Sequence, residues 1–481
     1  MLKDHIKNII IEKLSFNPTN DQDKLIEGLS EFIMDDDENN LLLIKGYAGT
    51  GKTTIMSALV NAFKKLRIKS VLMAPTGRAA KVLSVYSEKT AYTIHKKIYR
   101  QKSSKDGFGV FALDTNLHSN TIFIVDEASM ISNFSNDNSV FGSGRLLDDL
   151  INFVYNDKKC KLILIGDVAQ LPPVGIDISP ALDKKQLESY HLKLREYNLR
   201  EVVRQQENSG ILMNATHIRN LISNEKNEFP KLEMNGVKDI VRISGNDLIE
   251  TISDSYDKLG YEETIIITRS NKRANQYNKG IRSQILWREE EISIGDFLMV
   301  VKNNYFWINE NEKTGLPAGK IDFIANGDIA EIIKINKYHE QYGYRFADVT
   351  LRFIDYGDLQ VDCKIILDTL DINSAALSSE DNKTLFYNIL EDYKNHKTRK
   401  KQYEGVKNDE FFNALQVKFS YAITCHKAQG GQWKNVFIDH GYLADEMINK
   451  EYLRWLYTAF TRPIEKLYLV NFNKKFFDTY D

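Results

Sequence analysis

Short uninterrupted apolar runs alternate with stretches in which apolar side chains recur at helical spacing, and this alternation fills the first half of the chain. Leu41 to Ile44 reads as a short buried strand, followed by a helix marked by Ile55, Met56, Leu59, Val60 and Phe63. Before it, Thr19 or Asn20 can cap a helix carrying Leu25, Leu29 and Phe32. Val71 to Ala74, Thr121 to Val125 and Lys161 to Ile165 are further strand runs, each ending in polar residues. A helical run through Ile211, Leu212, Ala215, Ile218 and Ile222, then a strand from Glu263 to Thr268, reads as a second α/β layer.

From about Trp287 the pattern changes to short β-rich runs, GDFLMVVKNNY, FIANGDIAEIIKI, RFADVTLRFI and LQVDCKIIL, with turn signals at Asn326-Gly327-Asp328 and Tyr356-Gly357-Asp358. This predicts a small β-barrel inserted in the second α/β unit. Residues 371 to 409 are polar and helical in tone, and their basic run, His396 to Lys401, reads as a solvated face. The α/β pattern resumes at Val417, with strands at Val436 to Ile438 and Leu467 to Val470.

A chain of 481 residues is too long for one core, so two to four domains are expected. Sixty-four Lys and Arg against 66 Asp and Glu leave a formal charge of −2, so any nucleic-acid site must be a local groove rather than a global charge effect. Cys160, Cys363 and Cys425 are odd in number and scattered, which suits a reducing compartment and offers no zinc pattern. The first residues carry too short an apolar run for a signal peptide, and no stretch approaches a membrane span, so a cytoplasmic location in a bacterial or phage-infected cell is expected.

The chemistry begins at Gly46-Tyr47-Ala48-Gly49-Thr50-Gly51-Lys52-Thr53, a GxxxxGK[ST] loop set between strand and helix. Its backbone N–H groups, from Gly46 through Ala48, Gly49, Thr50 and Gly51 to Thr54, are placed to cradle phosphates at a helix N-terminus. Lys52 can reach the β- and γ-phosphates, and the Thr53 hydroxyl can ligate Mg²⁺. Asp126 and Glu127 end a strand as a Walker B pair: Asp126 holds Mg²⁺ and Glu127 orients or deprotonates the attacking water. Gln170, at the end of the next strand, is placed to feel the γ-phosphate. Gln22 carries an amide complementary to an adenine edge, with a solvated helix glutamine as the equal alternative. ATP and Mg²⁺ are the expected cofactors.

APTGRAAK, TIH, IVDEASM and GDVAQLPPV, in this order, resemble motifs Ia, Ib, II and III of superfamily 1 helicases, and the GDxxQLPPV form resembles the RecD-like and Dda-like branch. LREVVRQ, TCHKAQG and YTAFTR extend the resemblance through motifs V and VI over nearly the whole chain. It implies two tandem RecA-like P-loop domains, 1–195 and 196–286 with 410–481. It also implies a short β-hairpin pin at about 98–120, and an SH3-like barrel with a tower-like polar arm at 287–409. Arg204 and Arg462 become γ-phosphate arginines of the second domain, and Gly430 a nucleotide contact. Pro75, Thr76, His95, Pro173, Thr424 and His426 become contacts to single-stranded nucleic acid. Phe108 or Phe111, beside a glycine turn, becomes the wedge at the strand junction. Two departures stand out: motif V continues as Gly430-Gly431-Gln432-Trp433, without the usual acidic residue, and motif VI ends in Arg462-Pro463. The implied function is a monomeric ATP-dependent DNA helicase acting 5′→3′ on single strands and duplex junctions, with replication or repair proteins as partners. An RNA-directed translocase and an ATP-switched binding module without unwinding are the rival expectations.

Overall fold

The computed structural model describes residues 2–14, 16–102, 110–134, 142–156, 159–203, 209–308 and 323–477. The first eight strands are β1 (Asn40–Gly46), β2 (Lys69–Ala74), β3 (Ala91–Thr93), β4 (Tyr99–Lys102), β5 (Val110–Leu113), β6 (Thr121–Val125), β7 (Lys161–Gly166) and β8 (Lys193–Leu199). Six of them form one parallel sheet in the order β3-β2-β6-β7-β1-β8. β1 lies inside this sheet, covered on both faces, which is why its apolar run has no polar alternation. Leu42 and Ile44 join Leu25, Phe32 and Leu59 on one face, while Leu41 and Leu43 join Leu150 and Leu162 on the other. β4 and β5 form a separate antiparallel hairpin whose connecting residues lie outside the described segments.

A second parallel sheet begins with β9 (Ile240–Ile243) and β10 (Thr264–Thr268). The chain then leaves it for β11 (Phe297–Val300), β12 (Ile329–Gln341), β13 (Tyr344–Phe353), β14 (Leu359–Ile366) and β15 (Leu415–Phe419), which close into a five-stranded barrel. It returns through β16 (Ala422–Thr424), β17 (Trp433–Asp439) and β18 (Pro463–Val470), giving the order β16-β10-β17-β18-β9. Both predicted barrel turns are present, with Gly327 and Gly357 at φ 99° and 63°. The β12–β13 hairpin turns on Tyr342 and Gly343, both at positive φ, a geometry suited to a two-residue hairpin loop. The polar arm holds helices Ser379–Leu390 and Arg399–Lys407, which pack Leu385, Ile389 and Val406 against Phe346 and Ile366 of the barrel. The basic run from His396 to Lys401 is exposed, as read. Among the described residues no helix is long and apolar enough to cross a membrane.

Two expected boundaries move. β8 pairs with β1 from Asn40↔Lys193 to Gly46↔Leu199, so the first sheet extends past residue 195. β15, expected in the second α/β unit, instead bonds to β11 and β14, so the barrel closes after residue 409.

One buried carboxylate fastens the barrel to the second sheet. Asp296 is fully buried and accepts from Arg282 Nε (3.1 Å), Arg288 Nη1 (2.6 Å), Tyr421 Oη (3.0 Å) and the Ser293 amide (2.7 Å). Removing it leaves two guanidinium groups short of their counter-ion in a low-dielectric site. Asp296→Ala is expected to cost about 3–5 kcal/mol in a urea melt, and Asp296→Asn less.

Candidate nucleotide and nucleic-acid site

The phosphate loop joins β1 to the helix Lys52–Leu66. Two of its glycines are demanded by close approach. A Cβ on Gly46 would sit 2.8 Å from Lys52 Cγ, and one on Gly51, already at φ 78°, would sit 2.5 Å from Gln22 Nε2. Lys52 Nζ donates to the carbonyls of Gly46 (2.6 Å) and Tyr47 (2.8 Å) and lies 4.0 Å from Asp167 Oδ2. The ammonium therefore rests on neutral acceptors at the loop's own mouth, from which an anion would draw it. Thr53 stands half-buried at the start of the helix.

Asp126 and Glu127 follow β6. Desolvation, then the charge of Glu127, push the Asp126 carboxyl up to about 6, opposed by the Glu127 amide, which donates to Asp126 Oδ1 at 2.8 Å, and by Lys52. A divalent cation at this carboxylate would relieve that charge repulsion. Glu127 has left-handed backbone, φ 53°, an unusual conformation for a non-glycine residue. Gln170 is buried and its Oε1 has no hydrogen-bond partner among the described residues. A buried acceptor lacking a donor suits a bound water or hydroxyl. The donors and acceptors gathered here, Lys52, Thr53, Asp126, Glu127 and Gln170, fit Mg²⁺ and a triphosphate.

Gln22 is fully buried beside the loop rather than solvated. Its Oε1 accepts from the Thr19 amide (2.9 Å) in a capping box, and its Nε2 donates to the Thr50 carbonyl (2.9 Å). Both ends of the amide are engaged, so the side chain pins a helix start to the phosphate loop.

The second domain closes over this loop through residues to which the sequence reading gave no role. Tyr457, on the helix Lys450–Phe460, accepts from the Ala48 amide (2.9 Å) and donates to Asp167 Oδ2 (2.7 Å). One turn of strand-end loop further, both polar groups of the Leu171 peptide are held: its amide donates to Thr458 Oγ1 (2.9 Å), and its carbonyl accepts from Gln429 Nε2 (2.7 Å). Arg219, on the helix Gly210–Ser223, stacks 4.4 Å over the Tyr47 ring. Tyr457, Thr458 and Gln429 lie inside YTAFTR and TCHKAQG, so the motifs could have pointed to them; Arg219 carries no such signal. Arg462 is buried, donating to the carbonyls of Thr458 (3.0 Å) and Gly431 (3.2 Å) and to Thr461 Oγ1 (2.8 Å). Arg204 lies outside the described residues.

The residues read as nucleic-acid contacts gather at other strand ends. Thr76 caps the helix Gly77–Ser87 by accepting from the Ala79 amide (3.2 Å), leaving Pro75 beside it half-buried. Gly430 joins this group rather than the phosphate loop: a Cβ there would meet Ala79 Cβ at 2.7 Å and Thr76 Oγ1 at 3.3 Å. β2, which leads to Thr76, is three strand spacings from β1, about 14 Å. Gly430 thus stands at a contact between the domains. His95 is half-buried and held neutral, its pKa lowered to about 4 by burial. Thr424 and Pro173 are half-buried and His426 is exposed.

Phe111 does not stand at a tip. It is 9% exposed, belongs to the first domain's core and stacks 4.1 Å from Tyr305. Its ring is thus unavailable as a wedge, while Phe108 lies outside the described residues. Phe111→Ala is expected to cost about 3–5 kcal/mol in a denaturant melt, lowering every activity in step with the folded fraction.

The family described as an AAA domain matches residues 29–228, and the family described as the UvrD-like helicase C-terminal domain matches residues 419–470. An uncharacterized protein of Methanocaldococcus jannaschii is 25% identical over 93% of this chain, which spans 38% of that protein's length. The RecD subunit of the RecBCD enzyme from Buchnera aphidicola subsp. Schizaphis graminum is 26% identical over 92% of this chain and 72% of its own. The ATP-dependent DNA helicase Dda of Enterobacteria phage T4 is 25% identical over 82% of this chain and 86% of its own.

Proposed function

The chain belongs to the superfamily 1 helicases, in the branch that holds RecD and Dda, and we propose from this that it works as an ATP-dependent DNA helicase moving 5′→3′ along single strands and opening duplexes. The observation that carries the proposal is the contact of two parallel-sheet domains across one phosphate loop: Tyr457 reaches the Ala48 amide and Asp167 from the opposite domain. A ligand in that cleft touches both domains, so its arrival and loss bias the closed and open arrangements.

Thr53 and Asp126 would hold Mg²⁺, which would supply positive charge to neutralise the phosphates. Lys52 exchanges its resting carbonyls for phosphate oxygens. Glu127 takes the proton of the attacking water, and Gln170 Oε1 orients that water. Arg204 and Arg462 act from the second domain on the charge developing at the γ-phosphate. Thr76, His95, Thr424 and His426 hold the strand's phosphates, with Pro75 and Pro173 beside them. Because Gly430 touches Thr76 and Ala79, while Gln429 holds Leu171, the motif V segment lies between strand track and nucleotide, and each closure moves both.

The β4–β5 hairpin takes the place of the pin, with Phe108 its remaining aromatic candidate, and the five-stranded barrel with its helical arm takes the place of the SH3-like insertion. The deciding experiment is unwinding of forked duplexes carrying only a 5′ or only a 3′ single-stranded tail, in DNA and in RNA. Opening of the 5′-tailed DNA alone is expected. Opening of the 3′-tailed substrate would reverse the polarity. Preference for RNA tails would move the substrate class, and ATP hydrolysis without opening any fork would leave only a switched binding module.

A further inference from the structure

Arg219 is the one arginine of the described second domain seated on the phosphate loop itself. Its guanidinium lies 4.4 Å over the ring of Tyr47, the second residue of that loop. The Tyr47 carbonyl in turn takes the Lys52 ammonium (2.8 Å) and the Thr50 hydroxyl (2.8 Å). Arg219 Nη1 is buried and has no hydrogen-bond partner among the described residues. A buried guanidinium donor without an acceptor is an unfavourable arrangement, and it is relieved best by a strong anionic acceptor.

The neighbours supply no such acceptor. Asp167, the carboxylate buried at this point, already accepts from the Tyr457 hydroxyl (2.7 Å) and the Ala169 amide (2.9 Å), with Lys52 4.0 Å away. Arg219 also acts electrostatically on Tyr457, so the guanidinium, the tyrosine hydroxyl and the Ala48 amide lie close together at the domain contact. Asp167 is thus already bonded, and Arg219 Nη1 finds no acceptor among the described residues.

We propose that Arg219 is a further triphosphate contact of the second domain, resting on Tyr47 when the cleft holds no nucleotide and moving onto the terminal phosphate when it does. This rests on the ATPase reading above and deepens it. Stacking on Tyr47 keeps the guanidinium at the loop without committing its donors, because the attraction is to the ring face and the N–H groups stay in the guanidinium plane. A planar, permanently charged fork suits phosphate oxygens. A diphosphate would lack the oxygens it is placed for.

The test uses the full chain and three variants, Arg219→Ala, Arg219→Lys and Tyr47→Leu. Binding of ADP and of a non-hydrolysable ATP analogue is measured for each, with kcat and KM for ATP under saturating single-stranded DNA. Arg219→Ala is expected to lower kcat roughly 10²-fold, the scale of losing one preorganised donor to developing charge. It is expected to weaken the triphosphate analogue about tenfold while ADP binding changes less than about twofold. Arg219→Lys should recover part of both, and Tyr47→Leu should keep the preference for triphosphate. Equal weakening of ADP and analogue, unchanged kcat, or a Tyr47→Leu variant that reproduces Arg219→Ala would overturn the proposal and leave Arg219 as packing for the loop. If the alanine variant does not fold, Arg219→Lys and Arg219→Gln decide by the same comparison. Were the wild-type chain to hydrolyse no ATP, the ATPase reading would fall, and the binding comparison would still judge Arg219.

Discussion

Lys52→Ala is expected to abolish ATP hydrolysis, and Glu127→Gln to keep nucleotide binding while holding the two domains closed. The two outcomes differ because the side chains act on different charges. Lys52 rests within 2.8 Å of two loop carbonyls and 4.0 Å of Asp167, so it is already at the mouth of the anion cradle. Its removal takes away charge that the triphosphate needs both when bound and at the transition state, so KM and kcat should both suffer. Glu127 stands one residue beyond Asp126 in a left-handed conformation. Its amide proton is used on Asp126 Oδ1 (2.8 Å), and the residue is half-buried. The isosteric amide keeps that backbone bond and loses only the base. Turnover should fall by about 10²–10⁴-fold, the usual contribution of a positioned general base. The check is single-turnover hydrolysis beside nucleotide binding and protease sensitivity of the closed form. Near-normal turnover in Glu127→Gln would remove Glu127 from the role of base.

What could be read from the sequence divides by how local the physics is. Strands buried on both faces announce themselves: β1, β6 and β7 are unbroken apolar runs because neither face meets water. The phosphate loop, the Walker B pair and the barrel turns are equally local, since loop geometry and φ > 0 positions call for particular residues within a few places. β8 is different. Its sequence KLREYNL mixes charge and apolar residues because it is an edge strand with one side open, and such a run reads as a connection. β15 is different again. LQVKF holds Gln416 and Lys418 in a fully buried strand, and its partners β11 and β14 come from more than one element earlier in the chain. Closure of a barrel is decided by pairing across the fold, which no local window contains.

The same division runs through the site. The motif points to Gly430, but its place against Ala79 is set by the docking of the domains. The amide chemistry of Gln22 is legible in the sequence, but its bonds to the Thr19 amide and the Thr50 carbonyl come from the fold. Phe111 was read from aromatic character beside a turn, but alternation along β5 sends its ring inward to Tyr305. Tyr457 and Arg219 reach the phosphate loop because helices far apart in sequence are brought against it; Tyr457 at least lies inside YTAFTR, whereas Arg219 has no local signature.

Arg462→Ala is expected to lower DNA-stimulated hydrolysis by orders of magnitude with a much smaller change in ATP affinity. An arginine that neutralises charge on the transferring phosphoryl group is worth about 10³–10⁵ in turnover in other phosphoryl-transfer enzymes. Arg462 holds three acceptors of its own domain, the carbonyls of Thr458 and Gly431 and the Thr461 hydroxyl. To act on the nucleotide it must leave at least one of them. The bond to Gly431 O is the longest of the three, at 3.2 Å. Gly431 follows Gly430, which lies near Ala79 and Thr76. On the proposed role of Thr76, a strand arriving there would loosen the hold on Arg462 and so link nucleic-acid binding to hydrolysis. Alanine at 462 takes the Arg462 donor from the Gly431 carbonyl, a stability cost of about 1–3 kcal/mol where that group is buried, while the Thr458 carbonyl still accepts from the Thr461 hydroxyl (2.8 Å). Melting curves must accordingly accompany the kinetics. A loss of turnover far beyond the loss of folded protein, with nucleotide binding kept, supports the arginine's role in the reaction. A loss that follows the melting curve would make Arg462 a brace for the end of its helix, and a parallel loss of ATP affinity would make it a ground-state ligand.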